Sequence, residues 1–285
     1  MSLPSQTIFR FAPSPNGRLH LGNAYSALYA DHWARALGGV ALLRIENIDT
    51  TRCRPEFAAG ILEDLEWLGL IYPRPIRRQS DHLEEYHAGA ERLREMGVLY
   101  PCFCSRSEIR AQGLAQVDPA GAPLYAGRCR KLSEAERRAK LAAGHRVAWR
   151  LDVSRALELA GEVMIREAMP DPGCPVISRP AQPERWGDVV LVRKDIAASY
   201  HLAVVVDDAA QGVTHVTRGL DLYPATDIHV LLQALLGLPA PIYTHHQLIR
   251  DEEGEKLAKS RGSERVADLR AAGWSAAAVR HRLGF

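Results

Sequence analysis

The stretch RFAPSPNGRLHLGNAY, residues 10–25, places a histidine and two glycines between an apolar run and an apparent helix. Backbone N–H groups and the positive end of a helix dipole attract phosphate at such a turn, and Gly22 leaves room for a nucleotide to lie on the backbone. His20 can donate a hydrogen bond to phosphate oxygens as charge develops on them. The turn is also compatible with an ordinary strand-turn-helix in which His20 is merely exposed, so phosphate chemistry needs a second feature.

A polar loop near the end of the chain, DEEGEKLAKSRGS (251–263), carries Lys256 and Lys259, followed by Ser260. Its ammonium groups can reach a polyphosphate and stabilise the transition state, and a flexible loop can close over ATP. A solvated charged loop is the commoner outcome for such a stretch. Read together with the opening turn, the loop supplies the second phosphate-binding feature.

The hydrophobic pattern predicts the elements that hold the opening turn. TIFRFA (7–12) and VALLRI (40–45) are short apolar runs that predict strands, and the spacing between them predicts a helix from about Gly22 to the stop at Gly38. Two more helices are predicted in PEFAAGILEDLEWLG and SDHLEEYHAGAERLREMG. The β-α-β unit places the turn at the carboxyl end of a parallel strand, where ligands collect in open sheets.

The pattern changes after residue 100 and changes back near residue 187. SEAE (133–136) predicts a capping box, RVAWRLDV alternates like a half-exposed strand, and residues 169–186 are rich in proline, which indicates irregular connecting chain. DVVLVR, YHLAVVVDD and GVTHVTR then predict buried strands, followed by the helix DIHVLLQALLG and the strand PIYTHHQLI.

These patterns predict an α/β fold: a Rossmann-type parallel-sheet catalytic domain, split by an α+β insertion and followed by a short helical tail. The predicted units are the first half of the catalytic domain (1–100), the insertion (101–186), the second half with the KLAKS loop (187–263) and the tail (264–285). No apolar run approaches the roughly 18–20 residues of a membrane span, and the first residues show no signal pattern, so a cytoplasmic protein is expected. The net charge of +2 means that a nucleic acid would have to bind local basic patches.

The two phosphate-binding stretches resemble a known pair of motifs. HLGN (20–23) is similar to the HIGH motif of class I aminoacyl-tRNA synthetases, and KLAKS (256–260) is similar to their KMSKS loop. Asn23 stands in place of the second histidine, which keeps a polar group there, and both lysines are kept. The resemblance implies catalytic roles for His20, Asn23, Lys256 and Lys259, ATP binding by His20, Gly22, Asn23 and Lys259, and Mg²⁺ bound with the ATP.

Three segments, RFAPSPNGRLHLGN, LRIENIDTTR and YHLAVVVDDAAQGVTHVTRGLDL, resemble the glutamyl and glutaminyl branch of that class. Glutamate carries two carboxylates and one ammonium, so its site needs two cations and an anion, and Arg10, Arg218 and Glu46 all fall at the predicted sheet edge. Which arginine binds which carboxylate stays open. The glutamate pocket that the resemblance implies consists of Arg10, Ala12, Ser14, Glu46, Tyr200 and Arg218.

Three of the five cysteines, Cys102, Cys104 and Cys129, cluster in the insertion, which indicates metal binding over disulfides. Three thiolates suit one structural Zn²⁺, although the C-x-C spacing is tighter than usual and a fourth ligand is needed. On chemistry alone a histidine or a water would serve, whereas the resemblance implies Tyr125. Three reduced, unliganded cysteines are the alternative, and neither Cys53 nor Cys174 has an evident partner.

Only 25 residues follow Ser260, enough for one or two short helices but not for an anticodon-binding domain. Over essentially its whole length the chain resembles the glutamyl-Q tRNA(Asp) synthetase family. That resemblance implies a monomer that activates L-glutamate with ATP without tRNA, then glutamylates queuosine at the wobble position in the anticodon arm of tRNA(Asp). The alternatives are a short glutamyl-tRNA synthetase that charges tRNA(Glu), a non-catalytic RNA-binding paralogue, and a nucleotidyltransferase with a small-molecule substrate.

Overall fold

The structure is a computed structural model that describes residues 6–111, 116–168, 174–249 and 264–285. The strands in these ranges are β1 (Ile8–Phe11), β2 (Val40–Ile45), β3 (Arg77–Arg78), β4 (Leu99–Cys102), β5 (Ala148–Leu151), β6 (Met164–Glu167), β7 (Ile177–Pro180), β8 (Val190–Val192), β9 (His215–Gly219) and β10 (Ile242–His246). The α-helices are α1 (Leu21–Ala36), α2 (Pro55–Trp67), α3 (Leu83–Glu95), α4 (Arg106–Ala111), α5 (Glu134–Ala142), α6 (Val153–Ala160), α7 (Tyr200–Ala210), α8 (Thr226–Leu236), α9 (Val266–Ala271) and α10 (Ala276–Arg282).

Parallel strands form the centre of the protein, as the sequence predicts. β1, β2 and β3 pair in parallel, and so do β9, β10 and β6, with β7 antiparallel at the outer edge. The two groups meet at β1 and β9, where the backbone N–H of Thr214 donates to the carbonyl of Ile8 at 2.9 Å. The carboxyl ends of β1, β2 and β9 therefore lie together, and the residues that follow them share one edge.

Two large apolar clusters hold this sheet in place. One joins β1, β2 and the C-terminal helices to α1 and α2, and its fully buried members include Leu28, Ile45 and Val279. The other packs α3, α7 and α8 against one another, with Tyr86 and Leu202 in its interior. Side chains in such interiors sit in tightly packed positions, so the strand ends that they support are held firmly.

The sequence prediction of a strand in YHLAVVVDD is wrong, because these residues form α7. Consecutive valines favour a strand, but this helix is apolar almost all round and so gives no 3.6-residue period. Leu202 to Val205 are all buried against neighbouring helices. Tyr200 and Asp208 consequently share one helix face and are about 12 Å apart along the axis instead of about 26 Å along a strand.

Sheet pairing crosses the boundary that the sequence places at residue 186. The strand in DVVLVR is β8, which pairs antiparallel with β5 and not with the parallel strands. Conversely, β6 and β7 lie beside β10, although the sequence places them in the insertion. Residues 177–180 and the 3-10 turn Pro183–Trp186 are regular where irregular chain was expected. Sheet pairing does not by itself define domains, so the division into 1–100, 101–186, 187–263 and 264–285 stays a prediction.

The capping box and the short C-terminal helices are confirmed. Ser133 and Glu136 each bond the other's backbone N–H at the start of α5. The residues just before α9 run beside the opening turn, where the N–H of Leu21 donates to the carbonyl of Glu264 at 3.1 Å. α9 and α10 follow from there. None of the described helices is long and apolar enough to cross a membrane.

Candidate active site at the carboxyl edge of the parallel sheet

The opening turn ends in a capped helix. His20 is the N-cap of α1, and its Nδ1 accepts a hydrogen bond from the backbone N–H of Asn23 at 3.2 Å. A neutral imidazole that accepts at Nδ1 carries its proton on Nε2, so the second ring nitrogen is a donor. The fold thus places the Nε2–H of His20 beside the positive end of a 16-residue helix, an arrangement that suits a phosphate site.

One cavity of about 430 Å³ lies above this turn. That volume is in the range of ordinary ligand pockets. Nine of the residues predicted to bind ATP or glutamate fall within the described ranges, and all nine line the cavity: Arg10, Ala12, Ser14, His20, Gly22, Asn23, Glu46, Tyr200 and Arg218. The structure therefore brings the predicted ATP-binding turn and the predicted glutamate pocket together, while the role of each residue stays a prediction.

A buried network of charges fixes one wall of the cavity. Asp208 Oδ1 accepts from Arg10 Nε at 3.0 Å and from Arg44 Nη1 at 2.7 Å. Arg44, which is completely buried, also donates to Glu46 Oε1 at 3.1 Å. Arg10 is therefore held directly by Asp208, and Glu46 is held through Arg44, which bonds both carboxylates.

Asp207, which precedes Asp208 in α7, connects this network to β3 and α3. Its two carboxylate oxygens accept from Arg77 Nε at 2.7 Å, from Gln79 Nε2 at 2.8 Å and from the Tyr86 hydroxyl at 2.8 Å. All three donors come from β3, α3 and the turn between them. The Asp207–Asp208 pair thus joins α7 to both β1 and α3.

The pKa values of Glu46 and Asp208 shift in opposite directions. Burial raises the pKa of Glu46 above its ordinary value, although Arg44 and Arg10 oppose the change. Burial also opposes ionisation of Asp208, but Arg10 and Arg44 hold its pKa below its ordinary value. Asp208 is therefore fully satisfied by the protein, whereas Glu46 would gain from an additional cation such as a substrate ammonium.

Arg218, at the end of β9, is held by a different kind of partner. Its guanidinium donates to Thr226 Oγ1 at 2.5 Å, to His229 Nδ1 at 3.0 Å and to His245 Nε2 at 3.1 Å. Its residue exposure is only 5%. The two arginines that the sequence predicts for glutamate thus lie in one cavity, one paired with a carboxylate and the other bonded to neutral groups.

The predicted lysine loop lies outside the described residues, and with it Lys256, Lys259 and Ser260. The described residues on either side of it do reach the cavity. Ile249 lines it, and Glu264 bonds the backbone beside His20. Residues 249 and 264, which flank this loop in the sequence, therefore both lie at the cavity or beside its turn.

The predicted metal ligands come together in the antiparallel part of the fold. The Sγ atoms of Cys102, Cys104 and Cys129 all lie within 4.8 Å of one another. Thiolates about 2.3 Å from a shared zinc ion are about 3.8 Å apart, which is close to the 3.5 Å between Cys104 Sγ and Cys129 Sγ. The Tyr125 hydroxyl is 3.6 Å from Cys104 Sγ and accepts from the N–H of Cys129 at 2.8 Å. The donor set fits a metal such as zinc, with Tyr125 in reach as a fourth ligand.

Sequence reasoning missed the residues that hold the predicted ones. Arg44, Asp208, His229 and His245 were not identified as site residues, although each bonds one that was. A signal was present, because charged or titratable residues interrupt apolar runs at each of these positions and Arg44 is the sole charge in VALLRI. Such residues are seldom buried without a partner, so each interruption indicates a polar contact in the interior.

The chain resembles proteins whose activities are named. The family model described as tRNA synthetases class I (E and Q), catalytic domain, matches residues 6–281. The glutamyl-Q tRNA(Asp) synthetase of Rhodobacter capsulatus is 46% identical over 284 residues, which cover 97% of this chain and 99% of that protein. The glutamyl-Q tRNA(Asp) synthetase of Symbiobacterium thermophilum is 40% identical, with 97% and 85% covered.

Longer relatives share the same region. The glutamate–tRNA ligase 2 of Methylobacterium sp. is 39% identical across 95% of this chain but only 58% of its own length. The crystal structure of a glutamate tRNA ligase from Elizabethkingia meningosepticum in complex with its amino acid matches with a TM-score of 0.72 and 30% identity. That match covers 90% of this chain and 53% of the ligase, so the chain spans about half of the solved structure.

Proposed function

Since the chain belongs to the class I tRNA synthetases for glutamate and glutamine, we propose that it transfers glutamate to tRNA(Asp) in two steps. It is a ligase of the aminoacyl-tRNA synthetase type. In the first step ATP activates L-glutamate to glutamyl-adenylate, and in the second the glutamyl group passes to queuosine at the wobble position. The observation that carries the proposal is the single cavity in which Arg10, Arg218 and Glu46 meet the capped turn at His20.

Glutamate activation follows from the charges in that cavity. Two buried guanidinium groups suit the two carboxylates of glutamate, and Glu46 suits its ammonium. The α-carboxylate attacks the α-phosphate of ATP in line, and pyrophosphate leaves. His20 Nε2–H and the N-terminus of α1 stabilise the negative charge that develops on the phosphate, with Lys259 as the proposed third donor. ATP enters with its Mg²⁺, which offsets phosphate charge.

Activation without tRNA is part of the proposal, and the buried network supports it. Arg10 and Glu46 are already fixed through Asp208 and Arg44 in the chain by itself. A site whose binding groups are held in place needs no macromolecule to order it, because little reorganisation is left for substrate binding to drive. We therefore expect glutamate-dependent chemistry in the absence of RNA.

The choice of tRNA(Asp) rests on sequence identity. Two relatives named glutamyl-Q tRNA(Asp) synthetase are 46% and 40% identical to this chain, and the glutamate–tRNA ligase 2 of Methylobacterium sp. is 39% identical. In the second step a hydroxyl of the queuosine in the anticodon arm attacks the adenylate carbonyl, and AMP leaves. A second cavity of about 160 Å³ shares Ser14, Glu46 and Tyr200 with the first, which gives the acceptor a route to the glutamate site.

Two assays test the proposal. The full chain should exchange radiolabelled pyrophosphate into ATP only when glutamate is present, and it should do so without tRNA. Radiolabelled glutamate should then transfer to tRNA(Asp) that carries queuosine, but not to queuosine-free tRNA(Asp) or to tRNA(Glu). Labelling of tRNA(Glu) alone would establish a short glutamyl-tRNA synthetase instead, and absence of exchange would indicate a non-catalytic RNA-binding protein.

The cysteine cluster predicts one zinc ion per chain. Metal analysis of the purified protein should find about one zinc, and Cys129→Ser should reduce it to near none, because a structural site rarely survives loss of a thiolate. Cys53→Ser is the matched control, since Cys53 lies outside the cluster and its variant should keep the zinc. Tyr125→Phe should lose zinc to a chelator faster than the wild type if the phenol oxygen is the fourth ligand. Full zinc content in Cys129→Ser would contradict the assignment.

A further inference from the structure

Arg218 differs from the other buried arginines near the cavity in the charge of its hydrogen-bond partners. Arg10 and Arg44 both bond the carboxylate of Asp208. Within the described ranges, Arg218 forms no ion pair, and its polar neighbours are the hydroxyls of Thr226 and Tyr200 and two imidazoles. A buried guanidinium normally has an anionic partner, because an uncompensated charge is costly in the interior. The missing partner is therefore expected to come from the ligand.

We infer that His201, His229 and His245 are positioning residues that hold Arg218 through neutral imidazoles and thereby leave its charge for the side-chain carboxylate of the substrate. The inference rests on the proposed glutamate site and deepens it, because it gives the reason that a carboxylate is preferred to an amide. Two of these imidazoles accept hydrogen bonds from the guanidinium and so fix its direction, and the third, His201, bonds His229. Unlike carboxylates, they do not cancel its charge.

The hydrogen-bond directions define the protonation state of these rings. Arginine can only donate, so His229 accepts at Nδ1 and carries its proton on Nε2. That Nε2–H faces His201 Nδ1 at 3.2 Å, which must accept it. On the other side of the guanidinium, His245 accepts from Arg218 Nε through its own Nε2. The chain of donors thus runs from Arg218 through His229 to His201, and every ring in it is neutral.

The surroundings keep the rings neutral. Burial, and after it the charge of Arg218, lowers the pKa of His201 to about 4 and that of His245 to about 2. The same two causes hold the pKa of His229 well below its ordinary value. The other cations that act on these rings are Arg10, from β1, and Arg179, from β7. Since these neighbouring arginines are positive, protonation of an imidazole would add one more charge to a cationic region.

The side-chain carboxylate is the better match for such a cation. The α-carboxylate loses its negative charge when it becomes the acyl group of the adenylate, whereas the side-chain carboxylate keeps its charge through both steps. A fixed cation on the reacting group would stabilise the substrate more than the transition state, which slows the reaction. The same cation on the side-chain carboxylate binds substrate and transition state alike, and it rejects glutamine, whose amide cannot supply the missing charge.

Two variants that differ by one charge test the inference. His245→Gln places a neutral acceptor near the position of Nε2, and His245→Glu places a carboxylate there. In the pyrophosphate exchange assay without tRNA, we expect His245→Gln to keep a KM for glutamate close to that of the wild type. We expect His245→Glu to raise it about 10- to 100-fold, since it supplies the charge that glutamate supplies in the wild type. The KM for ATP should stay the same in both, and the preference for glutamate over glutamine should fall only in His245→Glu.

The outcomes separate the inference from the proposed function. Equal KM values for glutamate in the two variants, with normal wild-type exchange, would overturn the inference and leave the proposed function intact. Absence of exchange in the wild type would overturn both. If melting curves show that His245→Glu is unfolded, the pair His229→Asn and His229→Asp repeats the comparison at the Nδ1 contact. Equal losses in that pair would show a purely structural role and overturn the inference.

Discussion

His20→Asn is expected to lower the kcat of glutamate-dependent pyrophosphate exchange by about 10²–10³-fold, the usual effect of removing one oxyanion donor. Asparagine is a good N-cap residue, and its side-chain oxygen can accept from the N–H of Asn23 as His20 Nδ1 does. It has no group at the position of Nε2, so the donor to the phosphate is lost while the helix cap is kept. The KM for glutamate should change little, because His20 lies at the turn and not among the predicted glutamate ligands.

His20→Ala is the matched comparison, since it removes both the donor and the cap. It should lose the same activity and also melt at a lower temperature, because a lost N-cap costs about 1 kcal/mol. Thermal melting and exchange kinetics on the two variants thus separate the structural from the catalytic task of one side chain. Exchange by His20→Asn within about threefold of the wild type, a difference of less than 1 kcal/mol in the barrier, would show that His20 only caps the helix.

Asp208→Asn is expected to lower the free energy of unfolding by about 3–5 kcal/mol. The change keeps the shape of the side chain but removes the negative charge shared by Arg10 and Arg44, both of which are buried. Equilibrium unfolding in urea measures the effect directly. The variant should also bind glutamate more weakly, because Arg10 and, through Arg44, Glu46 lose their common anchor.

The pH dependence of this effect has a definite sign. Asp208 has a folded-state pKa below its ordinary 3.8, so its contribution is fully present above that pH and is lost as the pH falls through the lower folded value. Glu134→Gln serves as the control, because Glu134 and its partner Arg138 are both exposed on the surface of α5. Such surface pairs contribute only about 0–1 kcal/mol. If Asp208→Asn destabilised the protein no more than Glu134→Gln, the buried network would not be what holds the pocket.

The residues that line the cavity and form the cysteine cluster could be predicted from the sequence because their signals are local. A glycine-containing turn between an apolar strand and a helix indicates a phosphate-binding turn, and a cysteine pair separated by one residue indicates a metal site. Arg10, Glu46 and Arg218 each follow or end an apolar strand, and parallel strands bring such positions to one edge. All nine predicted cavity residues in the described ranges met there for that reason.

The residues that support them could not be predicted in the same way. Asp208 lies 198 residues from Arg10 and 164 from Arg44, and no short-range pattern links them. The prediction of a strand in YHLAVVVDD also placed Asp208 far from Tyr200, and only packing against α3 and α8 makes that segment a helix. Where a segment is apolar on all sides, its neighbours and not its own period decide its conformation.

The sequence by itself determined which residues come to the cavity and to the cysteine cluster, because backbone turns, strand ends and ligand spacings are encoded within a few residues of one another. Only the tertiary structure decided how the charges are divided: Asp208 neutralises Arg10 and Arg44, while histidines hold Arg218 and leave its charge available. The physical reason is that the effect of a buried charge depends on which groups replace the water around it. Those groups come from β1, β2, α7, α8 and β10, which meet only in the folded chain.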